Sequence, residues 1–271
     1  MTEARPDPTV VEFEHVCLVL DDKPVLRDVS FRLARAETKV ILGAASSGKS
    51  VLLKTALGLF RPDSGRVAVF GRDITGLREE ELYPIRQRIG MVFQEGALFD
   101  SMTVYGNVAY VFQEDRALPA EEEETRVRRA LHFVGLEEAI EKLPSELSGG
   151  MRRRVAIARA FVGQPALMLY DSPTAGLDPL TAQSIITLIV KLGDLEDVSG
   201  LVVTHRLQDA GVIADYFYDR ESEGLLPAHG NGRDYDTKTS VLVLREGQVV
   251  FDGARDEMFR ARDAYIRRFI G

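Results

Sequence analysis

Short apolar runs alternate with segments of helical periodicity along the chain, a pattern that predicts an α/β protein. Residues 10–42 carry apolar side chains at near-alternate positions on both sides of a turn at 21–24, which predicts antiparallel strands. Residues 166–170 and 201–204 are continuously apolar, as expected for central strands of a parallel sheet. Three further short strands are predicted, at residues 38–42, 67–70 and 89–93.

Helical periodicity dominates residues 103–161, where an acidic run at 121–124 is typical of a solvated helix start. Residues 221–240 are rich in Gly, Asp and Arg and predict a mobile surface insertion. A hairpin is predicted after the insertion, with strands at 241–244 and 248–251. The C-terminal residues predict an amphipathic helix with four apolar positions, Met258, Phe259, Ile266 and Phe269.

Composition excludes several classes of protein. The chain of 271 residues has 45% hydrophobic residues, enough for a substantial core in one large or two small domains. Its net charge of −8 argues against nucleic acid as the main partner. Cys17 is the single cysteine, which excludes a disulfide framework and a cysteine zinc site and fits a reducing cytosol. No apolar core typical of a signal peptide and no run of about 18 apolar residues is present, so we expect no membrane span.

One segment fits G-x-x-x-x-G-K-[ST], the pattern of a phosphate-binding loop. It lies between a predicted strand and a predicted helix at 51–57, which is the context that this loop requires. Backbone N–H groups and the positive end of the helix then surround an anion. Lys49 is expected to reach the β- and γ-phosphates of a nucleotide, and the Ser50 hydroxyl to bind Mg²⁺. The loop consists of Gly43, Ala44, Ala45, Ser46, Ser47, Gly48, Lys49 and Ser50.

Three polar residues follow apolar strands and are candidates for the same site. Asp171 ends an apolar strand, where a carboxylate can hold Mg²⁺ beside a phosphate-binding loop. Gln94 follows the strand at 89–93, and its amide can touch the metal or the attacking water. His205 follows the strand at 201–204, and its imidazole can bind the γ-phosphate. Taken singly, Gln94 and His205 are more often structural residues than ligands, whereas Asp171 is a weak signal alone and a moderately specific one at about 120 residues after the loop.

A second anion site is predicted where Ser148, Gly149, Gly150 and Met151 open a helix. One nucleotide does not need two such sites from one chain, so we expect this one to serve the nucleotide held by another copy. The three arginines at 152–154 are interpreted as a helix surface rather than a phosphate clamp.

Together these motifs resemble the nucleotide-binding subunit of ABC transporters. The resemblance rests on GAASSGKS, the Gln of VFQ, LSGGM, LMLYDS, the loop at 175–178 and His205, and it covers about residues 10–255. The runs GALFDSMTV and LPSELSGGM, with Asn107, Val108 and Ala109 between them, are similar to the Mla (Mkl) branch, which energises lipid trafficking between membranes.

The resemblance implies an α/β P-loop NTPase fold with a RecA-like parallel core, an antiparallel β subdomain and an α-helical subdomain at about 95–162. It implies a flexible N-terminus at 1–9, a nucleotide-binding domain at 10–255 and a C-terminal helix at 256–271. ATP and Mg²⁺ are the implied cofactors, and Val51 and Leu20 join the loop residues in binding ATP. Ser50, Gln94 and Asp171 are the implied metal ligands, with His205, Gln94, Asp171 and the degenerate position Ser172 in the catalytic set.

The implied assembly is a head-to-tail homodimer with two ATP molecules between the subunits. Each ATP would contact residues 43–50 of one chain and Ser148, Gly149, Gly150 and Met151 of the other, with Asp178 coupling the sites across the interface. Residues 94–103 would face a membrane-spanning permease subunit. The protein would therefore be cytoplasmic and peripheral at the inner face of the cell membrane, without inserting into it.

Three positions depart from the family pattern. Ser172 stands where the family places a Glu that polarises the attacking water, which predicts slow hydrolysis and a stable ATP-bound dimer. Leu20 stands where an aromatic residue usually stacks on adenine, which predicts weaker adenine discrimination. Ser46 stands where many members have Gly, which predicts modest strain if φ is positive there.

Other functions remain open from the sequence. The cargo can instead be an amino acid or another small solute. A second class is a regulatory subunit that closes on ATP without useful turnover, as Ser172 allows. Soluble ABC ATPases of DNA repair or translation are disfavoured, because they carry a long coiled coil or two tandem cassettes.

Overall fold

The protein is described by a computed structural model that covers residues 9–113, 118–230 and 233–270. The predicted flexible N-terminus lies outside the described residues up to residue 8, and so does the side chain of Phe269. Thr9 already belongs to the first strand.

The strands fall into one parallel-type sheet, one antiparallel sheet and two short ribbons. They are β1 (Thr9–Leu20), β2 (Lys23–Ala34), β3 (Thr38–Gly43), β4 (Ser64–Val69), β5 (Arg72–Asp73), β6 (Ile89–Val92), β7 (Leu167–Asp171), β8 (Ser199–Val203), β9 (Tyr216–Asp219), β10 (Gly224–Pro227), β11 (His229–Gly230), β12 (Arg233–Asp234), β13 (Thr239–Arg245) and β14 (Gln248–Gly253).

The helices connect and cover these strands. They are α1 (Lys49–Ala56), α2 (Glu79–Arg86), α3 (Val104–Ala109), α4 (Ala120–Phe133), α5 (Gly149–Phe161), α6 (Pro179–Glu196), α7 (Leu207–Asp215), α8 (Arg255–Arg260) and α9 (Ala264–Ile270). Short 3-10 turns occupy Tyr110–Phe112, Glu137–Ala139 and Pro144–Glu146. In the part of the chain described, no helix is both long and apolar enough to cross a membrane.

The central sheet has the strand order β14-β13-β3-β8-β7-β6. All neighbours from β13 to β6 run parallel, and only the edge strand β14 is antiparallel. Its strands are apolar on both faces, because α helices cover one face and α1 with the antiparallel sheet covers the other. This arrangement confirms the predicted α/β fold with a parallel core.

Alternation along the central strands divides the interior into two hydrophobic cores. Val40 and Leu42 of β3 pack into the core formed with α3 to α7, whereas Ile41 between them faces α1 and the antiparallel sheet. The antiparallel sheet has the order β2-β1-β4-β5, and Phe13 and Phe31 stack across β1 and β2 with ring centroids 4.8 Å apart. Each layer therefore has its own buried apolar face against the central sheet.

The prediction of a loop at 221–240 is wrong for the described residues of that segment, which form paired strands. β9 pairs with β10 and β11 with β12, each antiparallel. Phe217 and Tyr235 stack with ring centroids 4.3 Å apart, and Ala228 is fully buried. Aromatic stacking and backbone pairing thus order a segment whose polar composition indicated a loop.

The single C-terminal helix that the sequence predicted is also wrong, because the segment forms α8 and α9. Ala261 leaves the helical conformation with φ −61° and ψ 138°. The Asp263 carboxylate then accepts hydrogen bonds from the N–H groups of Tyr265 and Ile266, at 2.7 and 3.2 Å. An aspartate that caps a new helix start competes with continuation of the previous helix.

Candidate functional site

The carboxyl edge of the central sheet gathers the residues that the motifs singled out. β3 runs into the loop 43–48, β8 leads to His205, β7 ends at Asp171, and β6 leads to Gln94. These four strands are consecutive in the sheet and parallel, so their carboxyl ends lie side by side. A ligand bound at this edge, outside the strand ends, is within reach of all four segments.

Two glycines allow the phosphate loop to fold tightly. A Cβ on Gly43 would lie 2.5 Å from the carbonyl oxygen of Leu244, and a Cβ on Gly48 would lie 2.8 Å from that of Val25. Gly48 also has φ +101° at the N-terminus of α1, a conformation that L side chains rarely adopt. The loop therefore presents backbone N–H groups at a helix start, which is an anion-binding arrangement.

Lys49 is buried against its own loop, with 9% of its surface exposed. Its Nζ donates hydrogen bonds to the carbonyl oxygens of Gly43 at 2.8 Å and of Ala44 at 2.7 Å. Burial lowers the pKa of the Lys49 ammonium, and the nearby charge of Asp171 opposes that change. Nζ also lies 3.4 Å from the Ser47 hydroxyl, so uncharged oxygens of the loop hold a cation that can move onto phosphate oxygens.

Ser50 and Asp171, two of the predicted metal ligands, contact each other. The Ser50 hydroxyl donates to the Asp171 carboxylate at 2.9 Å, and Asp171 is 8% exposed. A hydroxyl and a carboxylate are the hard oxygen ligands that Mg²⁺ prefers, and this ion commonly completes its shell with water and phosphate oxygens. No cluster of three His, Cys, Asp or Glu side chains suited to a metal occurs among the described residues. The hydroxyl and carboxylate oxygens of the pair fit a magnesium ion that arrives with a nucleotide.

Ser172 lies beside this pair, and His205 follows β8, the strand next to β7. The Ser172 hydroxyl is 3.4 Å from the Asp171 carboxylate, and its backbone has φ +49°. His205 is exposed just after Thr204. Thr204 and Thr174 both donate hydroxyl hydrogen bonds to Asp209, at 2.9 and 2.6 Å. The buried Asp209 thus ties the segment of His205 to the segment that follows Ser172, a role that no sequence motif indicated.

Gln94 is exposed. Its segment is held by Arg153, one of the three arginines that the sequence pattern placed on a helix surface. Arg153 donates to the carbonyl oxygens of Phe93 at 3.1 Å, of Gln94, and of Ala175 at 3.3 Å. Arg153 is 6% exposed, so its interpretation as a helix surface is wrong, whereas Arg152 is exposed. Burial lowers the pKa of the Arg153 guanidinium, with Glu95 opposing that change. The helical spacing of Arg153 did not indicate that backbone carbonyl groups of two loops would surround its side chain.

Replacing Arg153 with leucine is expected to lower the free energy of unfolding by about 2–4 kcal/mol, because three carbonyls would lose a charged donor. Urea unfolding of the purified chain measures this. Arg128→Leu is the matched control, since Arg128 is exposed and bonded to Glu124 on the surface of α4, and its loss should cost about 0.5 kcal/mol or less. Equal unfolding free energies for the two variants would contradict the assigned role of Arg153.

The segment 148–151 builds a second helix start on α5. The Ser148 hydroxyl caps α5 by accepting from the Met151 N–H at 3.2 Å. Gly149 is exposed, and a Cβ there would lie 3.7 Å from Leu177, whereas a Cβ on Gly150 would lie 2.4 Å from Thr181. No hydrogen bond joins this segment to the phosphate loop within the described residues of one chain.

Asp178 lies next to that segment, at the start of α6. Its carboxylate accepts from the Thr181 N–H at 3.0 Å, and hydrogen bonds from Thr181 hold its pKa below the usual range. Asp178 is exposed, as are Ser148 and Gly149. These side chains and backbone groups are thus presented to the outside of the molecule rather than to the phosphate loop of the same chain.

A cavity of about 590 Å³ adjoins the phosphate loop on its outer side. It is lined by Lys23, Pro24, Val25 and Arg27, by residues 46–51, including Val51, and by Glu246 and Gly247. Leu20 is half-buried against the antiparallel sheet. It does not line the cavity itself, but it pairs across the hairpin with Lys23, which does. Ser46 has φ +60°, so the condition for strain at this position is met.

The chain is similar to known proteins over the segments that carry these motifs. The family model described as "ABC transporter" matches residues 26–175. The chain is 35% identical over 244 residues to the intermembrane phospholipid transport system ATP-binding protein MlaF of Escherichia coli K12, covering 90% of each chain. It is 36% identical over 214 residues to the probable ribonucleotide transport ATP-binding protein mkl of Mycobacterium tuberculosis H37Rv, covering 79% of this chain and 60% of that protein.

A solved structure with the same fold is the ATP-binding cassette MJ0796, described as a dimeric post-hydrolysis state bound to ADP and Pi. It superposes with a TM-score of 0.73 at 28% identity, covering 90% of this chain and 98% of that one.

Proposed function

Because this chain belongs to the ABC transporter family of ATP-binding subunits, we propose that it binds Mg²⁺–ATP in a head-to-tail dimer and drives membrane partner subunits in lipid trafficking. The observation that carries the nucleotide site is the meeting of Lys49, Ser50 and Asp171 at one edge of the central sheet. Val51 and the loop residues 43–50 would complete the phosphate and nucleoside contacts.

Each side chain has a stated task in this proposal. Lys49 binds the β- and γ-phosphates, and Ser50 and Asp171 hold Mg²⁺, with Gln94 as a further ligand. His205 hydrogen-bonds the γ-phosphate. Together with Lys49, a bound Mg²⁺ would supply positive charge that neutralises the charge developing on the transferred phosphoryl group. Hydrolysis also needs a group that takes the proton of the attacking water, and Ser172 does not supply one at neutral pH.

The exposed second helix start supports the proposed dimer. Ser148, Gly149, Gly150 and Met151 present donors that do not reach the phosphate loop of their own chain, and Asp178 lies beside them. In a head-to-tail pair these groups cover the nucleotide on the partner's loop. ATP then favours the closed pair, and release of phosphate reopens it.

An apolar groove of about 830 Å³ supports contact with a membrane subunit. Several large side chains on its walls are 38–45% exposed, namely Tyr83, Phe93, Phe99, Tyr110 and Val111. Arg159 fixes the intervening loop by donating to the carbonyl oxygens of Gly96 and Ala97, both at 2.8 Å. Gln94, which we place at the nucleotide, and Phe99 in the groove both lie on the segment between β6 and α3, so this segment would connect the nucleotide to the membrane subunit. The protein would work at the inner face of the membrane through this contact.

Two other functions keep specific support. The similarity to mkl, which is named for ribonucleotide transport, favours a small-solute cargo. The serine at position 172 favours a regulatory subunit that closes on ATP with little turnover. Lipid trafficking is preferred because MlaF matches 90% of the chain.

The test is capture of the partner from the native host. The tagged chain should retain integral membrane subunits from detergent-solubilised membranes, and the double variant Phe99→Asp/Tyr110→Asp should not. Leu59→Asp is the control, since Leu59 is 52% exposed outside the groove. The captured complex, reconstituted in vesicles, should transfer a fluorescent phospholipid in an ATP-dependent way. ATP-dependent uptake of a labelled ribonucleotide instead would contradict the lipid proposal.

Replacing Leu20 with tyrosine is expected to tighten ATP binding about fivefold or more, because stacking a base on an aromatic ring contributes about 1–3 kcal/mol. In the unaltered chain GTP should compete with ATP within a few-fold. Competition titrations with a fluorescent nucleotide measure both. Val19→Tyr is the matched control, because adjacent strand residues face opposite sides. A large ATP preference in the unaltered chain would contradict the prediction.

A further inference from the structure

The C-terminal helix α9 contacts the phosphate loop through the Tyr265 side chain. The Tyr265 hydroxyl accepts a hydrogen bond from the Ala44 N–H at 2.9 Å and donates one to the Leu244 carbonyl at 3.0 Å. We propose that Tyr265 is a positioning residue that holds the loop 43–50 in its phosphate-binding shape. The inference rests on the proposed function, because it assigns Tyr265 to the ATP site.

The bridged position is the most crowded part of the loop. Leu244 of β13 is in register with Gly43 of β3, and its carbonyl oxygen is the atom that a Cβ on Gly43 would meet at 2.5 Å. The loop turns away from β13 at the next residue, Ala44. A hydroxyl both donates and accepts, so Tyr265 joins the two segments where they diverge.

The peptide between Gly43 and Ala44 also sets the position of the loop lysine. Its carbonyl oxygen, that of Gly43, accepts from Lys49 Nζ at 2.8 Å, and its N–H, that of Ala44, is the group that Tyr265 binds. Rotation of this peptide would move the carbonyl that holds Lys49, so the bond to Tyr265 fixes the peptide from its other side. The next carbonyl oxygen, that of Ala44, accepts from Lys49 Nζ at 2.7 Å and from the Ser47 N–H at 3.3 Å. The loop is fixed again at Ser47, whose carbonyl oxygen accepts from the Gly247 N–H at 3.1 Å.

Tyr265 is itself held in place. Asp263 caps α9, and hydrogen bonds from the Ile266 and Tyr265 N–H groups hold the pKa of its carboxyl below the usual range. Arg245 approaches Asp263 at 3.7 Å, and its guanidinium lies 5.6 Å from the centre of the Tyr265 ring. Ile266 is 2% exposed in the main core. The hydroxyl is therefore a fixed partner rather than a mobile surface group.

Coupling between the docking of α9 and the binding of ATP is reciprocal. If the docked helix favours the binding shape of the loop, bound ATP must favour the docked helix. Any partner that pulls α9 away would then weaken ATP binding.

Tyr265→Phe tests the inference, because it keeps the ring and removes the hydroxyl. Isothermal titration should show ATP affinity reduced about two- to tenfold, the range that one hydrogen bond supports. Tyr216→Phe is the matched control, since Tyr216 lies exposed on β9, and its ATP affinity should equal that of the unaltered chain. Hydrogen exchange gives a second readout. ATP should slow amide exchange in α9 of the unaltered chain, and this protection should be lost in Tyr265→Phe.

The outcomes separate the two proposals. Equal ATP affinity in the unaltered chain and in Tyr265→Phe would overturn the role of Tyr265 alone. An amide exchange rate in α9 of the unaltered chain that does not change when ATP is added would also overturn the role of Tyr265. An unaltered chain that binds no ATP would overturn the proposed function and this inference with it.

Discussion

Replacing Ser172 with glutamate is expected to raise steady-state ATP hydrolysis about 10²-fold or more, because a positioned general base typically contributes about 10²–10⁴-fold. The carboxylate would accept the proton of the water that attacks the γ-phosphorus. The backbone at this position is already fixed, since the Ser172 N–H donates to Val203 at 2.9 Å and its carbonyl accepts from Ala175 at 3.0 Å. Serine already adopts φ +49° here, so glutamate adds little backbone strain.

Release of phosphate by the purified chain measures this prediction. Ser172→Gln is the control, because its amide matches glutamate in size and cannot take a proton. Ser172→Glu with the additional change Lys49→Met should be inactive, which assigns the turnover to this site. An unchanged or lower rate in Ser172→Glu would mean that another group already serves as the base.

Replacing Lys49 with methionine is expected to weaken ATP binding about 10- to 100-fold. A hydrogen bond to a charged group contributes about 1.5–3 kcal/mol, and about 1.4 kcal/mol corresponds to a tenfold change in affinity. Methionine is similar in length and suits a site that is 9% exposed, so packing should be preserved. The loss should be far smaller for AMP, which lacks the β- and γ-phosphates.

Titration of ATP and AMP into both chains measures the effect. Lys54→Met, on the same helix and stacked over Phe60 at 5.9 Å, is the matched control and should leave ATP affinity unchanged. Equal losses of ATP affinity in the two variants would show that Lys49 acts through general charge rather than by contacting the phosphates.

The sequence pattern was enough to predict where the phosphate loop and Asp171 lie in the sheet. The phosphate loop follows a short apolar run and Asp171 ends another, and both runs are typical of buried strands, so the pattern predicted their place at the carboxyl edge of a parallel sheet. Ser50 and Asp171 are 121 residues apart, yet strand order alone brings them into hydrogen bonding.

Hydrogen-bond partners that come from distant segments without helix or strand periodicity were not predictable from the sequence. The role of Arg153 depends on carbonyls of Phe93, Gln94 and Ala175, which no periodicity connects to α5. The bond between Tyr265 and Ala44 spans 221 residues and depends on the break at 261–263. The insertion was misjudged because its order comes from stacking of Phe217 on Tyr235, whereas its composition is that of a loop.

The shared nucleotide site is tested most directly by the mass of the purified chain in solution, measured by light scattering with and without saturating ATP and Mg²⁺. We expect a monomer without nucleotide and a dimer with it, which is stable because hydrolysis is slow with Ser172 in place of a general base. A Lys49→Met variant should stay monomeric. A chain that keeps the monomer mass with ATP and Mg²⁺, and that is present in one copy per captured membrane complex, would contradict the shared nucleotide site.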